Sequence, residues 1–219
     1  MQLVIPPVEG SALALALRRI DDGASLTLLE ADLDSLLYVV SGSGSFELDG
    51  AEDELAAGSA ALVLAGESAT IGGGGGGIEI VQATVGAAVD RHAPLGTRET
   101  VVRLDPERSE QALGTRAYQL LFGPHNGSTR ATLFAGFLPP ERSPWHYHLY
   151  DEIVFVPEGP GRLHLRDSEA ELGAGAAFRL RPREVHVVEN TSPAGEMTLI
   201  GVFTPAGSPS AAYLANGDS

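Results

Sequence analysis

Apolar and polar residues alternate along this chain in short runs. In the first half, Ala12 to Ile20, Leu36 to Val40, Ser45 to Leu48 and Ala60 to Leu64 read as strands. In the second half Thr129 to Phe137, Ile153 to Val156, Arg162 to Leu165 and Ala177 to Leu180 do so. Gly and Pro clusters separate these runs, and no long stretch repeats with the 3.6-residue period of a helix. The pattern predicts an all-β protein with an antiparallel sandwich or barrel in each half.

The two halves also resemble each other. An offset of 117 residues, without a gap, sets Pro7, Gly10 and Ser11 on Pro124, Gly127 and Ser128, and Gly42 on Gly159. It also sets Glu54, Leu55 and Gly58 on Glu171, Leu172 and Gly175, and Glu67 on Glu184. Turn residues matched over so long a span point to an internal duplication. This divides the chain into a first barrel over 1–88, an inter-domain linker over 89–116, a second barrel over 117–207 and a tail over 208–219. The run Gly72 to Gly77 has no Gly-Lys-Ser/Thr after it, so it is expected as a flexible turn and not a phosphate loop.

Composition narrows the chemistry. A length of 219 residues suits two domains of about 100 residues, each able to bury a core. With 29 acidic against 14 basic side chains the formal charge is −15, which argues against nucleic acid and against a membrane surface as partners. The chain has no cysteine, so a metal would have to be held by nitrogen and oxygen. The apolar run Ala12 to Leu17 is too short for a leader or a span, and a cytoplasmic location is expected.

One segment carries a ligand pattern. In Pro144-Trp145-His146-Tyr147-His148-Leu149-Tyr150-Asp151-Glu152 the two histidines stand two apart, and would share one face of a strand. In a straight strand Glu152 would lie roughly 13 Å beyond His148. One ion can therefore use both only if the chain turns through Leu149 to Asp151.

This segment, continued to Gly159, resembles the first motif of the cupin superfamily, and Gly173 to Asn190 resembles the second, with His186 and Asn190 at its end. Pro140 and Arg183 stand where those motifs usually have Gly. The resemblance implies two tandem jelly-roll barrels, a bicupin. One divalent ion would lie in the second barrel, bound by His146, His148, Glu152 and His186. Fe, Mn, Co, Ni, Cu and Zn all suit that set. The same offset gives Leu29, Ala31, Ser35 and Ala69 in the first barrel, none of which suits a divalent ion.

Around these ligands, Arg179 and Arg181 alternate with Phe178 and Leu180, so they are candidates to receive an anionic substrate, or are solvated surface residues. Tyr150 is a candidate proton or hydrogen-bond donor, whereas Tyr147 is expected to point away and pack. His92, His125 and His164 are expected as structural or surface residues. Two-barrel cupins include dioxygenases, decarboxylases, sugar-acid isomerases and the ureidoglycine aminohydrolase. The resemblance therefore implies a small-molecule metalloenzyme with a polar or carboxylate-bearing substrate, dioxygenase-like chemistry being favoured over hydrolysis or isomerisation. A non-catalytic metal- or ligand-binding protein is the alternative. Exposed sheet edges make a homodimer plausible.

Overall fold

Nineteen strands carry the fold in the computed structural model, which describes residues 2–86, 89–112 and 114–215. The first half contains β1 (Gln2–Ile5), β2 (Leu13–Ile20), β3 (Ser25–Leu29), β4 (Leu33–Leu48), β5 (Ala51–Ala56), β6 (Ser59–Val63), β7 (Ser68–Gly86) and β8 (Val101–Arg103). They form one antiparallel sheet ordered β1-β2-β7-β4-β6-β8, with β3 on β7 and β5 on β4. The expected strands at Leu36 to Val40 and Ser45 to Leu48 are thus one bent strand, β4. Its bend falls at register shifts between Val39 and Gly44. Gly42 sits there at φ +79°, and a Cβ on it would lie 2.1 Å from the Gly77 carbonyl oxygen. The glycine run opposite is not the expected flexible turn. It lies within β7, where Gly72 and Gly73 pair with Ser45 and Gly44, because only residues without side chains let the two backbones approach this closely.

The second half contains β9 (Glu110–Gln111), β10 (Ala117–Phe122), β11 (Thr132–Leu138), β12 (His146–Tyr147), β13 (Asp151–Phe155), β14 (Gly161–Leu165), β15 (Glu169–Leu172), β16 (Ala177–Leu180), β17 (His186–Asn190), β18 (Met197–Thr204) and β19 (Tyr213–Leu214). Two sheets, β16-β13-β18-β11-β10-β9 and β15-β14-β17-β12-β19, face each other as a jelly roll. Among the described residues the one helical element is a 3-10 turn at Pro106–Arg108.

The duplication is visible in turns. Gly58 N–H donates to Val39 O and Gly175 N–H to Val156 O. Glu67 accepts from Leu64 N–H and Glu184 from Arg181 N–H, each at 2.8 Å. Within this second turn Gly66 has φ +86° and its counterpart Arg183 has φ +68°, so Arg183 occupies a left-handed position that favours glycine.

Three apolar clusters hold these strands together. One fills the first barrel with residues such as Leu37, Phe46, Ile71 and Ile80. A second, including Val154, Phe178, Leu180 and Val188, lines the second barrel. The largest lies between them: Leu15, Leu36 and Leu62 of the first barrel meet Leu133, Ile153 and Val202 of the second. Each strand of that seam is therefore apolar on both faces, one turned into its own barrel and one into the neighbour. Buried ion pairs flank the seam, Asp34 with Arg130 at 2.7 Å and Asp151 with Arg179 at 3.0 Å.

The stretch expected as a linker supplies β8 to the first sheet and β9 to the second. Arg98 within it pairs with Glu67, and Glu99 N–H donates to Asn126 O. The tail supplies β19. Among the described residues no helix is long and apolar enough to cross a membrane.

Candidate metal centre

His146 and His186 occupy directly opposed positions on the antiparallel pair β12 and β17. The chain leaves β12 after Tyr147, turns at His148 and Leu149, and enters β13 at Asp151, which returns Glu152 to the same cavity. Arg183 N–H donates to His148 O at 2.6 Å, tying the turn before β17 to the turn after β12. The result brings one ring nitrogen from each of His146, His148 and His186 to within 4.8 Å of one another. Two nitrogens at about 2.1 Å from one ion can be at most roughly 4.2 Å apart, so the triad stands near the spacing an ion requires. Glu152 Oε2 is 3.8 Å from His148 Nε2. Gly201 makes room for that carboxylate, since a Cβ there would lie 2.3 Å from the Phe134 ring and 3.1 Å from Glu152 Oε1.

The protonation chemistry suits a cation. Burial, reinforced by the neighbouring His186, pushes His146 down to about 2 and His148 to about 3, and burial lowers His186 to about 4. All three rings are thus neutral donors at any physiological pH. His146 Nδ1 faces Pro144 O at 2.8 Å and His186 Nδ1 faces Glu184 O at 2.9 Å, which leaves both Nε2 atoms as acceptors. His148 Nδ1 is buried without a well-aligned partner, although the Ala211 backbone approaches closely enough to favour its protonated form. Burial raises Glu152 to about 8, against the opposing pull of Arg116. Three neutral imidazoles beside a desolvated carboxyl are a donor set that a divalent ion fits, and the ion's charge would favour the ionised carboxylate.

The remaining expected residues separate into two groups. Tyr150 lines the cavity with its ring stacked 4.6 Å from His148 and 4.0 Å from Phe203; burial raises its hydroxyl well above the usual range. Tyr147 points away and stacks on Tyr213. Arg179 does not enter the barrel: its neighbours Phe178 and Leu180 do, and its guanidinium turns into the inter-barrel seam. There it binds Asp151 and Ser11 and donates to Pro6 O and Leu13 O. Arg181 is exposed on the same outer side. His164 pairs with Glu189 at 2.7 Å, and His92 and His125 are exposed.

In the first barrel, Ser35 takes the place of Glu152: Ser35 pairs with Val63 as Glu152 pairs with Leu180. Ala69, in the place of His186, pairs with Leu28, so Leu28 and not Leu29 stands where His146 does. Leu29 is 66% exposed while Leu28 is buried, a one-residue slip that the gapless offset hides. The interior that would house an ion there is filled by apolar side chains.

Two features of the cavity lie outside both motifs. Arg116, just before β10, lines its wall, as do Pro209 and Ala212 of the tail. The tail is fastened beside the site, where β19 pairs with β12 and Ala215 N–H donates to Trp145 O at 3.0 Å.

Residues 134–203 match the Cupin domain family, and β12 to β17, which bear the histidine cluster, fall within that match. The second half of the chain therefore carries a cupin domain. The fold of the chain is that of a bicupin, as similarity to solved structures shows. A mutant of Bacillus subtilis oxalate decarboxylase superposes with a TM-score of 0.75 at 15% identity, over 94% of this chain and 72% of that one. AerE from Microcystis aeruginosa gives 0.74 at 15% identity, over 93% and 98%. A Cupin 2 conserved barrel domain protein from Leptotrichia buccalis gives 0.63 at 12% identity, over 90% and 86%. No curated protein sequence matches the chain significantly.

Proposed function

We propose that His146, His148, Glu152 and His186 hold one divalent transition-metal ion and that the protein is an enzyme acting on a small carboxylate-bearing molecule. One observation carries this reading: three buried, neutral imidazoles converge at chelating distance on an otherwise largely apolar cavity. A bound ion with four protein ligands keeps one or two open positions and supplies a Lewis acid that polarises an oxygen of its ligand. The protein's own residues do the rest. The two backbone carbonyls that face Nδ1 of His146 and His186 fix those rings. Val154, Leu180, Val188 and Leu199 exclude bulk water, and Tyr150 holds a proton on its hydroxyl at the cavity wall.

Dioxygen-dependent oxidation is the reaction we favour, because three histidines and one carboxylate suit redox-active ions as well as zinc. Redox-neutral decarboxylation is the second reading, favoured by the likeness in fold to oxalate decarboxylase, an enzyme with Mn(II) centres. The test is to measure bound metal, reconstitute with Mn(II) or Fe(II), and follow dioxygen uptake and carbon dioxide release over a panel of short carboxylic acids. Uptake supports oxidation, and release without uptake supports decarboxylation. Saturable binding of an acid with neither would overturn catalysis in favour of a binding protein.

A further inference from the structure

The metal ligands account for the floor of the cavity but not for its wall. Arg116 and Tyr118 stand two apart at the start of β10 and both line the cavity, as do Phe134, Gly136 and Leu138 on the neighbouring β11. Arg116 thus reaches the cavity, in contrast to Arg179. Among the described lining residues Arg116 is the one permanent cation; the walls around it are built from groups such as Ala112, Ala117 and Leu138.

The Arg116 side chain lines the same cavity as His146, His148, Glu152 and His186. Burial in turn weakens the hold of Arg116 on its own proton. A guanidinium carries five N–H donors in a planar fork, a geometry that matches a carboxylate. Size sets a second limit. About 70 Å³ of the cavity is reachable by the centre of a water molecule, so the space is small. A small ligand with one end anionic and the rest uncharged matches the space and the walls.

We propose that Arg116 is the anchor for the substrate's carboxylate, and that the substrate is a short monocarboxylic acid whose uncharged end lies toward the histidine cluster. This rests on the reading of the cavity as a substrate site and names its chemical class. It moves anion recognition from the motif strand, where Arg179 and Arg181 face outward, to a residue that neither motif contains.

The probes are butyrate, the neutral isostere butyramide and the dianion succinate, titrated calorimetrically at pH 6.5 into the full chain, first Zn(II)-loaded and then after chelation. The wild type is expected to prefer butyrate over butyramide by about 10-fold or more, as a charge-assisted pair implies. Arg116→Gln is expected to lose that preference and Arg116→Lys to keep part of it, with thermal unfolding compared to show that both variants fold. If Arg116→Gln does not fold, Arg116→Lys and Arg116→Met decide the matter by the same ratio. An unchanged preference in Arg116→Gln, or tighter Arg116-dependent binding of succinate than of butyrate, overturns the proposal. A preference that survives chelation and vanishes in Arg116→Gln supports it. A protein that binds no metal would sink the metalloenzyme reading while leaving this one standing.

Discussion

His146 and His186 face each other across the β12–β17 pair, with ring centroids 4.3 Å apart. Two proposed ligands set by one strand register are rigidly placed, and the third, His148, comes from the turn that follows. His148→Ala is therefore expected to lower the metal retained after desalting to well below one ion per chain, since it removes one of four converging donors from a site arranged around all of them. Leu29→Ala should leave the metal content unchanged, as that side chain is exposed on the other barrel. Metal analysis after desalting checks both, and full occupancy in His148→Ala would remove the ligand assignment.

The protonation states of the centre give the metal-free protein a particular pH profile. The three histidines are held far below their ordinary value of 6.5, so unfolding takes up protons below that pH. Their contribution is complete above pH 6.5 and is lost as pH falls toward 4. Glu152 is raised from 4.5 to about 8, so it holds a proton that the unfolded chain releases. Its contribution is complete below pH 4.5 and is lost as pH rises toward 8. Stability of the metal-free form should therefore rise to about pH 6.5 and then decline, at up to roughly 1.4 kcal/mol per pH unit for one proton. Urea unfolding across pH 5 to 8 is the measurement. Glu152→Gln should flatten the alkaline arm and leave the acid arm in place; an unchanged alkaline decline in that variant contradicts the assignment to Glu152.

Arg179 and Asp151, on the neighbouring strands β16 and β13 of the second barrel, form a largely buried pair where that barrel faces the first, with side-chain exposures of 11% and 12%. Removing the cation leaves a carboxylate in a largely desolvated site, which costs about 3 kcal/mol. Arg179→Ala is expected to lower the unfolding free energy by about that amount without changing bound metal. A variant with intact stability but lost ligand binding would return Arg179 to the substrate site.

The fold and the convergence of the three histidines were legible because both rest on local signals. Alternation, turn glycines and the spacing from His146 to Glu152 each involve a few residues. The placement of Arg179 was not legible, because alternation tells inside from outside only when one face of a strand meets water. β16 has Phe178 and Leu180 in the barrel and Arg179 in the seam, so both faces are buried and the polar residue is no guide. Arg116 was missed for another reason. It lies 30 residues before the first ligand, outside either motif, and only the pairing of β10 with β11 carries it to the cavity. The pairing of Leu28, not Leu29, with Ala69 shows that a duplicated chain can slip by one residue where no turn glycine pins the register.

The tail is the part of the site least bound to the barrel. β19 is a two-residue edge strand whose Tyr213 and Leu214 are exposed at 46% and 62%, yet Pro209 and Ala212 beside it line the metal cavity. Its anchors among the described residues are few, chiefly the β12 pairing, the Tyr147–Tyr213 stack at 5.4 Å, the Ala215-to-Trp145 hydrogen bond and the bond that the Tyr150 hydroxyl donates to Pro209 O at 3.4 Å. Such a segment opens locally at a small fraction of the cost of global unfolding. A chain ending at Gly207 should therefore still fold on its apolar seam, because no described residue after Ala206 belongs to the three clusters, and Pro209 is the one buried residue among them. Its metal, however, should be stripped by a chelator about 10-fold faster or more than from the full chain. Release rates measured by stopped-flow with a chromogenic chelator decide this, with the thermal midpoint recorded in parallel. Equal release rates in the two proteins would mean that solvent reaches the centre by a route the tail does not cover.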